Sequence, residues 1–328
     1  MAKGRVLITG VAGFIGSNLA ARLLRDGWEV DGIDDMSQGL ESNLVHCRRQ
    51  AKFTFTRGDV TDLAALRGAW RGPDAVIHLA AFKIPRYSNA LRTLQVNIHG
   101  SENVLKLAAE HKTKALLAST SDVYGKNAAL PFSEEHDLVM GSPKVARWSY
   151  AISKMVDEQL ALAYAAEYGM PVVMMRFFGS YGPHQNLTWW GGPQSVFIDL
   201  AMQGEAITLH GDGQQTRSFT YVDDTVDGIT RCLENAAANN EVMNIGNNRE
   251  ITIAGLAEMI WEMIRPGEKA KLTYVPYANF GRYEDVRRRV PDIDKAQRLL
   301  GFSARVPLEE GLPRTIAWQK KAMADGRQ

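Results

Sequence analysis

Cysteine is nearly absent from this chain: Cys47 and Cys232 are the two in 328 residues, far apart and without metal-ligand spacing. That argues against a disulfide framework and fits a reducing compartment. Long apolar runs are missing as well. Lys3-Gly4-Arg5 leads directly into Val6-Leu7-Ile8, too short for a signal-peptide core, and no stretch approaches bilayer-spanning length. Nor is there an excess of one charge, since 38 Lys and Arg against 37 Asp and Glu give a formal net charge of +1. No bulk field then draws nucleic acid or an anionic membrane. Arg287-Arg288-Arg289 and His46-Cys47-Arg48-Arg49 read as short solvated patches, and His184 and His210 lack partners at metal spacing. The expectation is a cytoplasmic protein without a metal, a membrane or nucleic acid as partner.

What is present is an ordinary globular composition, 45% hydrophobic and 23% charged, with ample core for one large domain or two packed ones. Short apolar runs alternate with helical patterns through the first half. Val6–Thr9, Trp28–Ile33, Phe53–Thr56, Ala75–Leu79, Ala115–Ser119 and Val172–Arg176 read as buried strands. Between them lie helices such as Phe14–Asp26, with Ile15, Leu19 and Leu23 at four-residue steps and Gly27 as its stop. This rhythm predicts an α/β fold with a doubly wound parallel sheet. After Phe178 turns dominate, with helices expected at Ser195–Gln203, Ile253–Arg265 and Leu312–Ala324. The reading assigns residues 1–177 and 218–250 to the sheet domain. A smaller, discontinuous α/β lobe takes 178–217 and 251–328, with the cleft beyond the strand C-termini.

Gly10-Val11-Ala12-Gly13-Phe14-Ile15-Gly16 links the first strand to the first helix. Gly10 permits the tight turn, Gly13 the approach of a pyrophosphate, and Gly16 close helix–strand packing, while the helix start offers free N–H groups. The second strand ends in Asp34-Asp35. A carboxylate there can bind both hydroxyls of an adenosine ribose and would repel a 2′-phosphate, which favours NAD over NADP, with Asp34 the better candidate. Asp59-Val60 follows the third strand, where adenine would lie. Tyr150 and Lys154 stand at i and i+4 on one helical face. A lysine beside a phenol is expected to lower its pKa from about 10 and make it a usable acid–base group. The hydroxyls of Ser119-Thr120-Ser121, at a strand end, can hydrogen-bond a reacting oxygen.

Together these residues resemble the extended short-chain dehydrogenases/reductases, the group of nucleotide-sugar 4-epimerases, 4,6-dehydratases and decarboxylases. The resemblance spans nearly the whole chain. It adds His78-Leu79-Ala80-Ala81, Asn97, Tyr181-Gly182-Pro183, Gly211-Asp212-Gly213, Arg217, Tyr221-Val222-Asp223-Asp224, Arg282 and Asp285. It implies a Rossmann domain that binds NAD through Gly10–Gly16, Asp34, Asp35, Asp59, Val60, Leu79, Ala80, Ala81, Asn97, Tyr150 and Lys154. Tyr150 is then the catalytic base, Lys154 holds the nicotinamide ribose, and Thr120 with Ser121 holds the sugar hydroxyl. Lys83, Asp122, Arg217, Arg282, Asp285 and Arg289 are the implied substrate contacts. The implied reaction begins with oxidation of the sugar at C4, and the resulting 4-keto sugar is the branch point.

The branch is read from Thr120-Ser121-Asp122. Family dehydratases carry Thr-Asp-Glu there, so the missing first carboxylate argues against dehydration. Decarboxylases carry Thr-Ser-Glu, and both Arg147-Trp148-Ser149-Tyr150 and Arg289 resemble those acting on UDP-glucuronate. Against them stands the loop His184–Trp190, which offers no Arg or Lys to a hexuronate carboxylate; Lys83 or Arg86 can substitute. Arg282 with Asp285 matches the epimerases. The leading expectation is a 4-epimerase on a UDP-hexose. UDP-glucuronate decarboxylation or uronate 4-epimerisation is the alternative, and a non-catalytic NAD-binding regulator is the reading from another class. Gly179 and Ser218 depart from the family's usual Asn and Asp and bear on the substrate grip. Trp189-Trp190 reads equally as a stacking surface or a loop anchor. The resemblance also implies a homodimer through helices Ser101–His111 and Ser149–Tyr168, whose outer faces would include Leu105, Leu160, Leu162 and Ala166.

Overall fold

The computed structural model of the chain describes residues 3–83, 89–280 and 284–326. The first half alternates β1 (Arg5–Thr9), α1 (Phe14–Arg25), β2 (Glu29–Asp34), α2 (Glu41–Arg48), β3 (Phe53–Arg57), α3 (Leu63–Ala69), β4 (Ala75–His78), α4 (Ala90–His111), β5 (Lys114–Thr120), α5 (Trp148–Tyr168) and β6 (Val172–Phe177). Then come β7 (Gly179–Tyr181), α6 (Pro193–Gln203), β8 (Ile207–His210), β9 (Thr216–Tyr221), α7 (Val222–Glu234) and β10 (Glu241–Ile245). The chain continues through β11 (Glu250–Thr252), α8 (Ile253–Ile264), β12 (Leu272–Val275), β13 (Arg288–Arg289), α9 (Asp294–Leu300) and α10 (Leu308–Ala324).

Seven of these strands pair in parallel in the order β10-β6-β5-β4-β1-β2-β3. This is the doubly wound Rossmann arrangement expected, with its reversal of direction between β1 and β4. The central strands β1, β4, β5 and β6 lack polar alternation because both faces are covered, whereas the edge strand β3 alternates Phe and Thr. Val6, Ile8, Ile77, Leu116, Val173 and Met175 enter one core layer, while Leu7, Val76, Ala115, Leu117, Val172 and Met174 enter the other. Helices α1, α2 and α7 cover the first face, and α3, α4 and α5 the second. The smaller lobe holds a sheet of β11-β9-β13 with β7 added to β9, a β8/β12 pair, and helices α6 and α8. Both cysteines are buried and unpaired. Among the described residues no helix is long and apolar enough to cross a membrane.

Three differences from the sequence reading have local causes. Helix α4 starts at Ala90, eleven residues before the expected Ser101, because buried Thr93 and Asn97 interrupt its apolar stripe. β10 went unread because Asn244 stands within it; the side chain is buried and donates to the Phe132 and Asp292 carbonyls. Leu105 is not on an outer face: it is fully buried with Val104 and Ala108 against the sheet, whereas Leu162 is exposed.

Candidate active site

The strand C-termini of the sheet open onto three adjoining cavities. At the start of α1, Gly10 takes φ +70°, and a Cβ there would stand 2.8 Å from the Ala80 nitrogen. A Cβ on Gly16 would collide with the Gly10 carbonyl. Only glycine closes this turn so tightly. Asp34 closes the neighbouring corner: one carboxylate oxygen accepts from the Ala12 N–H at 2.9 Å and the other from the Met36 N–H at 2.9 Å. Burial raises the Asp34 pKa above the ordinary carboxylate value, with those N–H groups opposing the shift. A cavity of about 130 Å³ is lined here by Gly10, Asp34, Asp35, Asp59, Val60 and Leu79 to Phe82. It continues into one of about 360 Å³ lined by Phe14, Ile15, Gly16, Thr120, Ser121, Tyr150 and Lys154. A glycine cradle at a helix start, then a buried carboxylate at the tip of β2, fits a dinucleotide with a free ribose 2′-hydroxyl.

Thr120 ends β5, and its hydroxyl bonds the Tyr150 phenol and accepts from the Asp122 N–H at 3.2 Å. Lys154 lies one helical turn beyond Tyr150, but its ammonium is taken up by Asp157 at 3.0 Å, both side chains being almost fully buried. This corrects the expected electrostatics. Burial, Asp122 and Asp157 together push the Tyr150 phenol up, above its ordinary value, and Lys154 does not outweigh them. His78, at the end of β4, bonds Thr9 through Nδ1 at 2.7 Å, and burial followed by the Lys154 charge pushes it down to about 3.

Beyond Tyr150 opens a cavity of about 310 Å³ with a dense charge network. Arg289 pairs with Asp122 at 2.8 Å and Arg147 approaches it at 3.4 Å. Asp285 accepts from Arg147 at 3.2 Å, from Arg217 at 3.0 Å and from the Tyr277 hydroxyl at 2.5 Å. Burial opposes ionisation of Asp285, yet Arg217, Tyr277 and Arg147 hold its carboxyl down at about 2. Asp122 behaves likewise: burial raises its pKa, but Arg289, Arg147, Arg217 and Lys83 bring it below the ordinary range. Lys83, Asp122, Tyr150, Gly179 and Arg289 line both this cavity and the one holding Lys154, so the two meet at the Tyr150 phenol.

Most residues singled out from sequence thus converge on one cleft. Asn97 stands behind it: fully buried, its carboxamide accepts from the Phe82 N–H at 2.8 Å and donates to Ser153 at 2.9 Å, tying the β4 loop to α5. Asp35 and Asp59 line the rim cavity while accepting from Ser37 and Thr61. Arg282 and Arg86 lie outside the described residues. Gly179 packs where a Cβ would come 2.9 Å from the Phe219 ring, so that ring fills the space an Asn side chain would need. Trp189 stacks on His210 at 5.0 Å and walls the cavity beyond Tyr150, and Trp190 meets Phe82 edge-on at 5.3 Å. Tyr277 and Gln215 line this cavity without having been singled out as candidates, and Arg147 was noted only as part of a motif. Arg147 carried a signal, standing one turn before Tyr150. No group of three potential metal-ligating side chains occurs among the described residues.

The sequence model of the family described as GDP-mannose 4,6-dehydratase matches residues 7–315. UDP-N-acetyl-alpha-D-glucosaminuronate decarboxylase of Bacillus cytotoxicus is 34% identical over 98% of this chain and 100% of its own. UDP-glucuronic acid decarboxylase 1 of Xenopus tropicalis is 37% identical over 98% of this chain and 73% of its own. Among solved structures, UDP-glucuronic acid 4-epimerase of Bacillus cereus, in complex with UDP-glucuronic acid and NAD, superposes with a TM-score of 0.86. It is 29% identical, over 97% of this chain and 99% of that one.

Proposed function

We propose that this chain, which belongs to the GDP-mannose 4,6-dehydratase family of extended short-chain dehydrogenases/reductases, decarboxylates a UDP-linked hexuronic acid with NAD as its cofactor. The observation that carries the reading is the charge lining the substrate-side cavity. Its described residues include Lys83, Arg147, Arg217 and Arg289 against Asp122 and Asp285, four cations facing two carboxylates. A neutral hexose on a diphosphate needs fewer cations near its C4–C6 edge, whereas a hexuronate brings a third anionic group. The cation missing from the loop after Pro183 is supplied by Lys83, Arg147 and Arg289, from other parts of the chain. The relatives named as uronate decarboxylases point the same way, so the UDP-hexose epimerase reading gives way to its alternative.

The Gly10–Gly16 turn, Asp34 and the wall around Lys154 would hold the dinucleotide. When bound, NAD supplies a reversible hydride acceptor and a positive ring at the sugar carbon beside Tyr150. Tyr150 takes the C4 hydroxyl proton, and Thr120 holds the same oxygen. Once C4 is a ketone, the sugar is a β-keto acid: the C5–C6 bond breaks, CO2 leaves, and the electron pair moves onto the C4 oxygen. Thr120 and Tyr150 stabilise that enolate by hydrogen bonding, which accelerates the step. A proton from solvent then returns to C5, and Tyr150 gives its proton back to the C4 oxygen as the hydride is restored to C4, so the cycle is redox-neutral and leaves a UDP-pentose. Asp122, held ionised by Arg289, orients the substrate instead of donating the C5 proton. A uronate 4-epimerase uses the same charges, and the Bacillus cereus structural match favours it as the second reading. A non-catalytic regulator has no use for a phenol and a hydroxyl placed where the two cavities meet. We also take the protein to be cytoplasmic and to pair through the exposed faces of α4 and α5 around Leu162 and Ala166.

Incubation with UDP-glucuronate and UDP-glucose side by side, with NMR of the products, tests the reading. A UDP-pentose from the first alone is expected, and a C4 epimer of either sugar contradicts it.

A further inference from the structure

The catalytic lysine of this chain has a neighbour that the reaction above does not use. Lys154 and Asp157 stand at i and i+3 on α5, 3.0 Å apart, with side chains 1% and 2% exposed. The ammonium is therefore shared with a carboxylate. The remaining groups around the pair do not take over that role. His78, from β4, is neutral at working pH, pushed down by burial and by Lys154 itself. Glu158, the next residue on α5, is bound to Arg176 from β6 through both carboxylate oxygens. Ser101, from α4, adds only a hydroxyl beside Asp157. On the cleft side of Tyr150 stands Asp122, already balanced by Arg289, Arg147 and Lys83.

We propose that Asp157 is a positioning residue for Lys154: it anchors the ammonium at the back of the cleft and offsets the positive field that the lysine casts on the Tyr150 phenol. The inference rests on Tyr150 and Lys154 acting as the acid–base pair. The consequence is a phenol that keeps its proton to higher pH than a lone lysine neighbour would allow, in agreement with Asp157 being among the groups that push Tyr150 up. A buried carboxylate disfavours the ionisation of a neighbouring phenol, as an ammonium favours it.

The test needs no turnover, so it stands apart from the decarboxylase reading. Protein loaded with NAD and labelled with 13Cζ-tyrosine is titrated by NMR from about pH 6 to about pH 12, a range that extends well past ordinary tyrosine ionisation. Tyr150 is assigned by its loss in Tyr150→Phe. In Asp157→Asn the Tyr150 signal is expected to ionise about one pH unit earlier than in wild type. An unmoved titration overturns the proposal. Should Asp157→Asn not fold, Lys154→Met is compared with Lys154→Met/Asp157→Leu, which replaces the pair by apolar groups. Earlier ionisation in the double variant supports the offset, and identical titrations in the two overturn it.

Discussion

Helix α5 carries Tyr150 and Lys154, and a buried ion pair, Arg176 with Glu158, fastens it to the sheet. Arg176 on β6 donates from Nε to one Glu158 oxygen at 2.9 Å and from Nη2 to the other at 2.8 Å. The two side chains are 5% and 6% exposed. Ser119, adjoining Thr120, donates to the same carboxylate at 2.5 Å, and the guanidinium lies 4.8 Å from the Tyr124 ring centroid. Replacing Arg176 by Met leaves a buried carboxylate with only a hydroxyl for company. Breaking a pair of this kind costs about 3–5 kcal/mol, and loss of the ring contact adds roughly 0.5–1 kcal/mol. At about 2 °C per kcal/mol for a chain of this size, Tm should fall by roughly 7–12 °C. Replacing both residues, Arg176→Met with Glu158→Leu, removes both charges and should recover most of that loss, because a desolvated pair is worth little against apolar packing. Urea and thermal denaturation of the two single variants and the double variant give the cycle. A loss below about 1 kcal/mol in Arg176→Met, or a double variant no better than the worse single one, refutes this view of the pair.

Two further outcomes follow from the same geometry. Lys83→Met removes one cation from the junction of the two cavities; it should raise KM for the hexuronate about tenfold, the value of roughly one charge-assisted hydrogen bond, while leaving kcat less affected, and an unchanged KM speaks against Lys83 as a substrate contact. His78 is held neutral, at about 3 against an ordinary 6.5. The unfolded chain therefore binds a proton that the native one refuses, and this residue's contribution is complete above about pH 6.5 and lost as pH falls toward about 3. Tm measured across that window should drop more steeply in wild type than in His78→Gln, and parallel curves contradict the assignment.

How much could be read in advance depended on whether the signal was local. The central sheet strands β1, β4, β5 and β6 are visible as short apolar runs because helices cover both faces, and β3 is visible through its alternating Phe and Thr. The Gly10–Gly16 turn and the Tyr150–Lys154 spacing were legible for the same reason, since their geometry is set within a few residues. Where long-range contacts decide, the reading failed. Asn97 and Thr93 look like breaks in a helix until one sees what they bond across to. The meeting of Arg147 with Asp285 depends on segments far apart in sequence that the fold closes together. The phenol shows the limit most clearly: sequence places a lysine one turn away and predicts a lowered pKa. Only the fold reveals that Asp157 holds that lysine and that Asp122 stands on the other side.

The central claim concerns the carboxyl carbon. Protein carrying NAD, incubated with UDP-[6-13C]glucuronate in a sealed tube, should release the label as 13C bicarbonate and CO2 in step with an unlabelled UDP-pentose, with no net accumulation of NADH. Label that stays on the sugar while the C4 configuration inverts would show an epimerase, and the decarboxylase account would be wrong.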